Sequence, residues 1–181
     1  LDRAVECFDW LVEFNPINFL FWSKRGQAYT VLGDLADPQA YNKAAADLQR
    51  ALTLAPNASE LHGYLGQVYV RQQLWDRAES ATKTAIQMDS TNTYHRRTLG
   101  NIFAAQQRFL EAEEAFRRIL QLDPKDADAI NNLGVALAQQ GKTEEARAAF
   151  RDALRLQPSL QDARINLNRL DGEPSTPGGR F

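Results

Sequence analysis

Few residues in this 181-residue chain have the types and spacing that chemistry needs. The two histidines, His62 and His95, stand 33 positions apart, and neither has cysteines or clustered carboxylates at ligand spacing. Both therefore read as surface or packing residues rather than metal ligands. Gly141-Lys142-Thr143, with Gly134 upstream, imitates the end of a phosphate-binding loop. Its glycine spacing is two residues too long, and a helical pattern precedes it where a strand is required. Asn57-Ala58-Ser59 fits a glycosylation sequon but reads as a helix start. The single cysteine, Cys7, can form neither an intrachain disulfide nor a paired-cysteine metal site. Glu111, Glu113 and Glu114 with Arg117 and Arg118 form a solvated helical face whose ion pairs are each worth little. The expectation is a chain that is not an enzyme and uses no cofactor and no metal.

Composition narrows the classes further. With 21 Lys+Arg against 23 Asp+Glu, the chain lacks the cationic excess of a nucleic-acid or anionic-membrane surface. Apolar residues at 44% and charged residues at 24% describe a globular chain that can bury a core. No apolar run approaches the ~18 residues of a membrane span. The chain opens at Leu1 without a charged-then-apolar leader, which suggests a mature form or an excised segment. The compartment is unassigned, a soluble cytoplasmic setting being slightly favoured.

The elements that must position any site come from internal repetition. Pro124 and Pro158 are 34 residues apart, and each closes a similar segment. Residues 93–126 laid over 127–160 pair Leu99-Gly100 with Leu133-Gly134, Ala112 with Ala146, and Phe116 with Phe150. Residues 59–92 carry Leu65-Gly66, Tyr69, Ala78 and Ala85 in the same phase. Residues 19–58 keep Trp22, Gly26, Tyr29, Leu48, Ala51 and Pro56 but are six residues too long around 36–41. Residues 1–18 match only the second half of a unit, through Ala4, Phe8, Leu11 and Pro16.

Each unit reads as two amphipathic helices. Small residues at Gly66, Gly100 and Gly134 let the paired helix approach closely. Large ones at Tyr29, Tyr69, Phe103, Phe116 and Phe150 are expected to fill the space between neighbouring pairs. Pro56, Pro124 and Pro158 end second helices, and Asn18, Asn92 and Asp126 are placed to cap first ones. The pattern resembles the tetratricopeptide repeat family over residues 1 to about 170. The resemblance implies an all-α, right-handed solenoid of four full units plus a half, with boundaries 1–18, 19–58, 59–92, 93–126 and 127–160. Residues 161–170 read as a capping helix, with Arg164 and Asn168 replacing the large residue and the glycine, and 171–181 as a disordered tail. Gly33 is expected to end the first helix of unit 19–58. Asp37-Pro38 then starts a second helix about a turn longer than its counterparts, projecting Tyr41 at a rim.

In that family the first helices line a concave groove. The resemblance therefore places Leu20, Ser23, Gln27, Thr30 and Val31; Glu60, Gly63, Gln67, Val70 and Arg71; Tyr94, Arg97, Asn101, Ala104 and Ala105; and Asp128, Asn131, Val135, Ala138 and Gln139 on that surface. Gln27, Gln67, Arg71, Tyr94, Arg97, Asn101, Asn131, Asn132 and Gln139 are the candidate partner-binding residues, since amides supply a donor and an acceptor for an extended peptide. Some family members grip a C-terminal carboxylate through Lys and Asn. Arg97, Asn101 and Asn132 reproduce part of that set, whereas Asp162 and Asn166 stand where it needs cations. The function implied is a non-catalytic scaffold, adaptor or assembly factor holding a peptide or helix of a protein partner. The alternatives are a self-assembling module and a targeting segment of a larger enzyme. In the N-terminal half-unit, Val5, Phe8, Trp10 and Leu11 offer more apolar surface than one neighbour covers. That predicts a missing upstream helix or another chain, including a homo-oligomer, over this face.

Overall fold

The computed structural model describes residues 2–172, the side chain of Asp2 excepted. Among these residues it has ten helices and no strand: α1 Asp2–Phe14, α2 Phe19–Leu35, α3 Ala40–Leu54, α4 Ser59–Arg71, α5 Trp75–Met88, α6 Thr93–Ala105, α7 Phe109–Leu122, α8 Ala127–Gln139, α9 Thr143–Leu156 and α10 Gln161–Leu170. The chain divides within α6 into two compact units, Leu1–Thr98 and Leu99–Phe181. In the first, α2 packs on α3 and α4 on α5; in the second, α8 packs on α7 and α9.

Local chemistry sets the helix ends. Asn18 and Asn92 accept from the backbone N–H groups of Leu20 and Tyr94 at 3.0 Å, and Asp126 accepts from that of Ala129 at 2.9 Å. Each cap satisfies an amide that the helix itself leaves unpaired. Helices α3, α7 and α9 stop two residues short of Pro56, Pro124 and Pro158. Between paired helices the turn passes through one left-handed residue: Gln73 (φ 58°), Gln107 (φ 61°) and Gly141 (φ 77°). The next N–H then reaches back to Tyr69, Phe103 or Leu137 at 2.8–3.0 Å, closing the first helix.

Gly33 stands at the same register position, yet α2 runs through it to Leu35. This corrects the sequence expectation. Helix α2 has 17 residues against 13 for α4, whereas α3 has 15 against 14 for α5, so the extra turn lies in the first helix. Tyr41 does not project at a rim. Its ring lies against Gly33, where an added Cβ would come within 2.4 Å, and its hydroxyl donates to Asp34 at 2.7 Å. Only a residue without a side chain fits beneath that ring.

The paired helices meet at a repeated close contact. A Cβ built on Gly100 or Gly134 would lie 2.6 Å from the ring of Phe116 or Phe150. At Gly66 it would lie 2.4 Å from the Thr82 hydroxyl, and at Gly26 3.1 Å from Leu48. The Phe116 and Phe150 rings thus pack within their own helix pairs rather than only between neighbouring pairs, as the sequence had suggested. Both are essentially inaccessible to solvent, and burying each contributes about 1.5–3 kcal/mol. They belong to one core in the second unit with Phe103, Ile119, Leu133 and Leu137.

Polar ties reinforce these contacts. Arg25 donates twice to the buried Asp47 at 2.7 Å and once to Asp9 at 2.8 Å, linking α2 to α3 and α1, with its guanidinium 4.8 Å above the Trp22 ring. In the second unit Glu113 accepts from Lys142, Gln140 and Arg117, each at 2.9 Å. Led by the Lys142 bond, these donors hold its carboxyl down at about 2.

Gly134→Ala should destabilise the chain by about 1–3 kcal/mol despite alanine's better helix propensity, because the buried Phe150 ring has to move. Urea unfolding measures this, and pairing the change with Phe150→Leu should recover part of the loss. A second expectation concerns His95, which is buried against Gly63 with neither ring nitrogen hydrogen-bonded. Burial pushes its imidazole below the ordinary value, against the opposing pull of Asp89 and Glu60. The folded chain therefore resists a proton that the unfolded chain accepts. Stability from this source is complete above about pH 6.5 and falls as pH drops below it. Urea midpoints at pH 7.5 and 5.5 should differ for the native chain, and the difference should shrink in His95→Leu.

Candidate functional site

In the second unit the first helices of successive pairs leave a pocket of about 620 Å³. Its walls are Ala104 from α6, Gln107 and Phe109 from the following turn and α7, Asn131, Asn132, Val135 and Gln139 from α8, and Asp162, Ile165, Asn166 and Arg169 from α10. Three of the expected binding residues, Asn131, Asn132 and Gln139, therefore share one cavity. Val135, Ile165, Ala104 and Phe109 give it apolar surface.

The amides in it are ordered by one another. Asn166 Nδ2 donates to Asn131 Oδ1 at 3.1 Å, and Asn131 Nδ2 donates to Asn132 Oδ1 at 3.3 Å. Asn131 is only 6% exposed, so it acts as the link rather than as a contact. The relay has a direction, since each amide gives through nitrogen and takes through oxygen. It leaves the carbonyl oxygen of Asn166 on α10 and the amino group of Asn132 on α8 as the outer ends, an acceptor and a donor. Asp162 stands in the same cavity, so the site has a carboxylate where a clamp for an acidic terminus requires a cation.

The first unit has a smaller pocket of about 330 Å³ between α2 and α4, lined by Phe19, Leu20, Ser23, Lys24, Gln27, Ala58, Glu60, Leu61 and Tyr64. Gln27 lies in it with its amide on Ser23 Oγ at 3.2 Å. Gln67 and Arg71 lie farther along α4, and Arg71 Nε donates to Asp34 Oδ1 at 2.7 Å. Asp34 belongs to the unforeseen extension of α2. The Tyr41 hydroxyl, followed by Arg71, holds the Asp34 carboxyl below its ordinary range. Tyr94 is half exposed and Arg97 half-buried, both in the first unit, whereas Asn101 is exposed in the second. Gly63, expected on the open face, is covered by His95.

In α1, Val5, Phe8 and Leu11 are half-buried on α2 and Val12 is fully buried, while Trp10 is 61% exposed and stacks on Phe14 with ring centroids 5.2 Å apart. Among the described residues no group of three or more His, Cys, Asp or Glu could hold a metal ion, and no helix is long and apolar enough to cross a membrane.

Sequence reasoning missed Ile165 and Arg169, having assigned α10 to a cap. The signal was available. Counting one more 34-residue step places Asp162, Ile165 and Arg169 at the second, fifth and ninth positions of a further first helix. Gln107 and Phe109 had no such signal, because they enter from the turn. Asn131→Ala should cost about 1 kcal/mol in urea unfolding. It should also disperse the side-chain amide resonances of Asn132 and Asn166 towards solvent-exposed values.

Comparison with known proteins agrees with this architecture. Two family models, each described as tetratricopeptide repeat, match residues 35–102 and 97–160. A protein described as STIP1 homolog from Dictyostelium discoideum is 30% identical over 93 residues, which are 50% of this chain and 15% of that protein. The crystal structure of MamA superposes with a TM-score of 0.77 at 22% identity, over 87% of this chain and 88% of that one. That of YrrB, described as a TPR protein with an unusual peptide-binding site, gives 0.72 at 21% identity over 93% and 84%. With the period, the caps and the glycine contacts already in place, these matches assign the chain to the tetratricopeptide repeat family.

Proposed function

We propose that this chain is a non-catalytic interaction scaffold that holds an extended segment of a partner protein in the second-unit pocket. The observation that carries this reading is the Asn166–Asn131–Asn132 relay, whose free ends offer one acceptor and one donor beside an apolar wall. Such a wall pairs with backbone whatever the peptide's side chains, while Val135 and Ile165 take an apolar residue. Both asparagines are held by packed helices, so little ordering entropy is lost when a ligand docks. The peptide-binding site described for YrrB supplies a precedent within the fold. Asp162 and Arg169 both line the pocket, so its formal charge is balanced and its selectivity rests on backbone and apolar contacts.

Selection of random 12-residue peptides (about 40 Å of extended chain) on the immobilised native chain tests this. The enriched peptides should lose about tenfold or more in affinity for Asn132→Ala/Asn166→Ala, equivalent to about 1.4 kcal/mol. Asp162→Asn and Arg169→Gln should shift the preference in opposite directions, towards acidic and towards basic peptides respectively. Arg97→Ala should leave neutral peptides unaffected. Failure to enrich any peptide, or equal affinity for the double variant, would overturn the reading.

A further inference from the structure

We infer that the partner segment does not end in the larger pocket but runs on over the α6–α7 turn, where a second cavity takes another of its apolar side chains. This subsite rests on the peptide-binding reading above and extends it. The second cavity measures about 280 Å³. Gln107, Phe109 and Gln139 are walls of both cavities, so the two adjoin along the turn. Leu110 and Gln140 line the smaller one alone.

The repeat itself marks Leu110 as unusual. It is the second residue of α7, and 34 positions away on either side the second residues of α5 and α9 are Asp76 and Glu144. An acid in the first turn is favoured by the positive end of the helix dipole. Helix α7 keeps Glu111 but puts a leucine where its counterparts have a carboxylate, and that leucine is 71% exposed beside the half-buried Phe109. The polar groups around it are largely committed. Gln140 Nε2 donates to the Phe109 and Ala136 carbonyls at 3.2 Å and to Glu113 at 2.9 Å, which leaves its carbonyl oxygen to accept a backbone N–H of the segment. Arg108 Nε donates to Glu111 Oε2 at 2.7 Å, so the two charges among the walls neutralise each other. An apolar side chain therefore gains contact with Leu110 and Phe109, while a charged one meets only charges that are already paired.

The probes are the 12-residue peptides enriched on the native chain. Alanine replacement along each peptide should find two apolar positions whose loss weakens binding about tenfold. Leu110→Glu restores the acid that the neighbouring turns carry, so it should not lower Tm. It should weaken the full peptides about tenfold and abolish the effect of alanine at one of the two positions only. Leu110→Ala, which adds no charge, should weaken them in the same direction by a smaller factor. Peptides trimmed to the residues around the other position should bind the native chain and Leu110→Glu equally. On titration, the Leu110 methyl resonances should shift with a full peptide and stay in place with a trimmed one. Suppose that Leu110→Glu binds full peptides as the native chain does, while Asn132→Ala/Asn166→Ala still weakens them. That result would overturn the subsite and leave the larger pocket's role standing. Equal affinity across all these variants, or no enriched peptide, would overturn both.

Discussion

Everything in this chain rests on how closely two antiparallel helices can approach. One helix presents a position without a side chain, and the other seats a side chain directly on its backbone. Gly26 with Leu48, Gly66 with Thr82, Gly100 with Phe116 and Gly134 with Phe150 are four instances of one geometry. A glycine inside a helix costs about 1 kcal/mol against alanine, and the contact offsets it by burying a large group without strain. With the interhelical distance fixed this way, the polar side chains on the remaining face of each first helix stay available.

The polar ties complement this constraint. Arg25 collects α1, α2 and α3 through two carboxylates, and Glu113 collects α7 and the α8–α9 turn through three donors. None of these charged groups is among the walls of the second-unit pocket, so charge neutralisation stiffens the framework without occupying that cavity. Within the pocket the stiffening comes from neutral amides instead. That choice keeps a site in which donor and acceptor directions are set while the net charge stays low, the requirement for recognising backbone rather than a particular side chain.

Much of this was legible in the sequence because the responsible residues act locally or at fixed spacing. The prolines, the capping Asn18, Asn92 and Asp126, and the glycines at 34-residue intervals each report a constraint that one residue type satisfies. The turn glutamines Gln73 and Gln107 were silent because a left-handed backbone is signalled by glycine, and the surrounding helix imposes it there on another residue. Gly33 misled for the converse reason. It read as a helix end, but a tertiary contact with Tyr41 uses the same lack of a side chain for packing. In the pocket, Asn131 and Gln139 were expected from the groove positions that the family resemblance implies, and Asn132 from the set with which some family members grip a carboxylate. Ile165 and Arg169 were hidden by the departures at Arg164 and Asn168, which made α10 read as a terminus rather than as another wall. The internal role of Asn131 depends on a partner 35 residues away, which periodicity does not reveal.

Helix α4 differs from its counterparts in what it meets on either side. Gly66 faces the Thr82 hydroxyl and Gly63 faces the His95 imidazole, and neither polar group finds a hydrogen-bond partner. In the second unit the counterparts of the Gly66–Thr82 seam are filled by the Phe116 and Phe150 rings. Hydration is thus a gain at α4 and a loss at α8: a water molecule entering beside Thr82 or His95 satisfies groups that the dry state leaves wanting. The inner wall of the smaller pocket is thus built on the one helix whose two glycine contacts are with unpartnered polar groups.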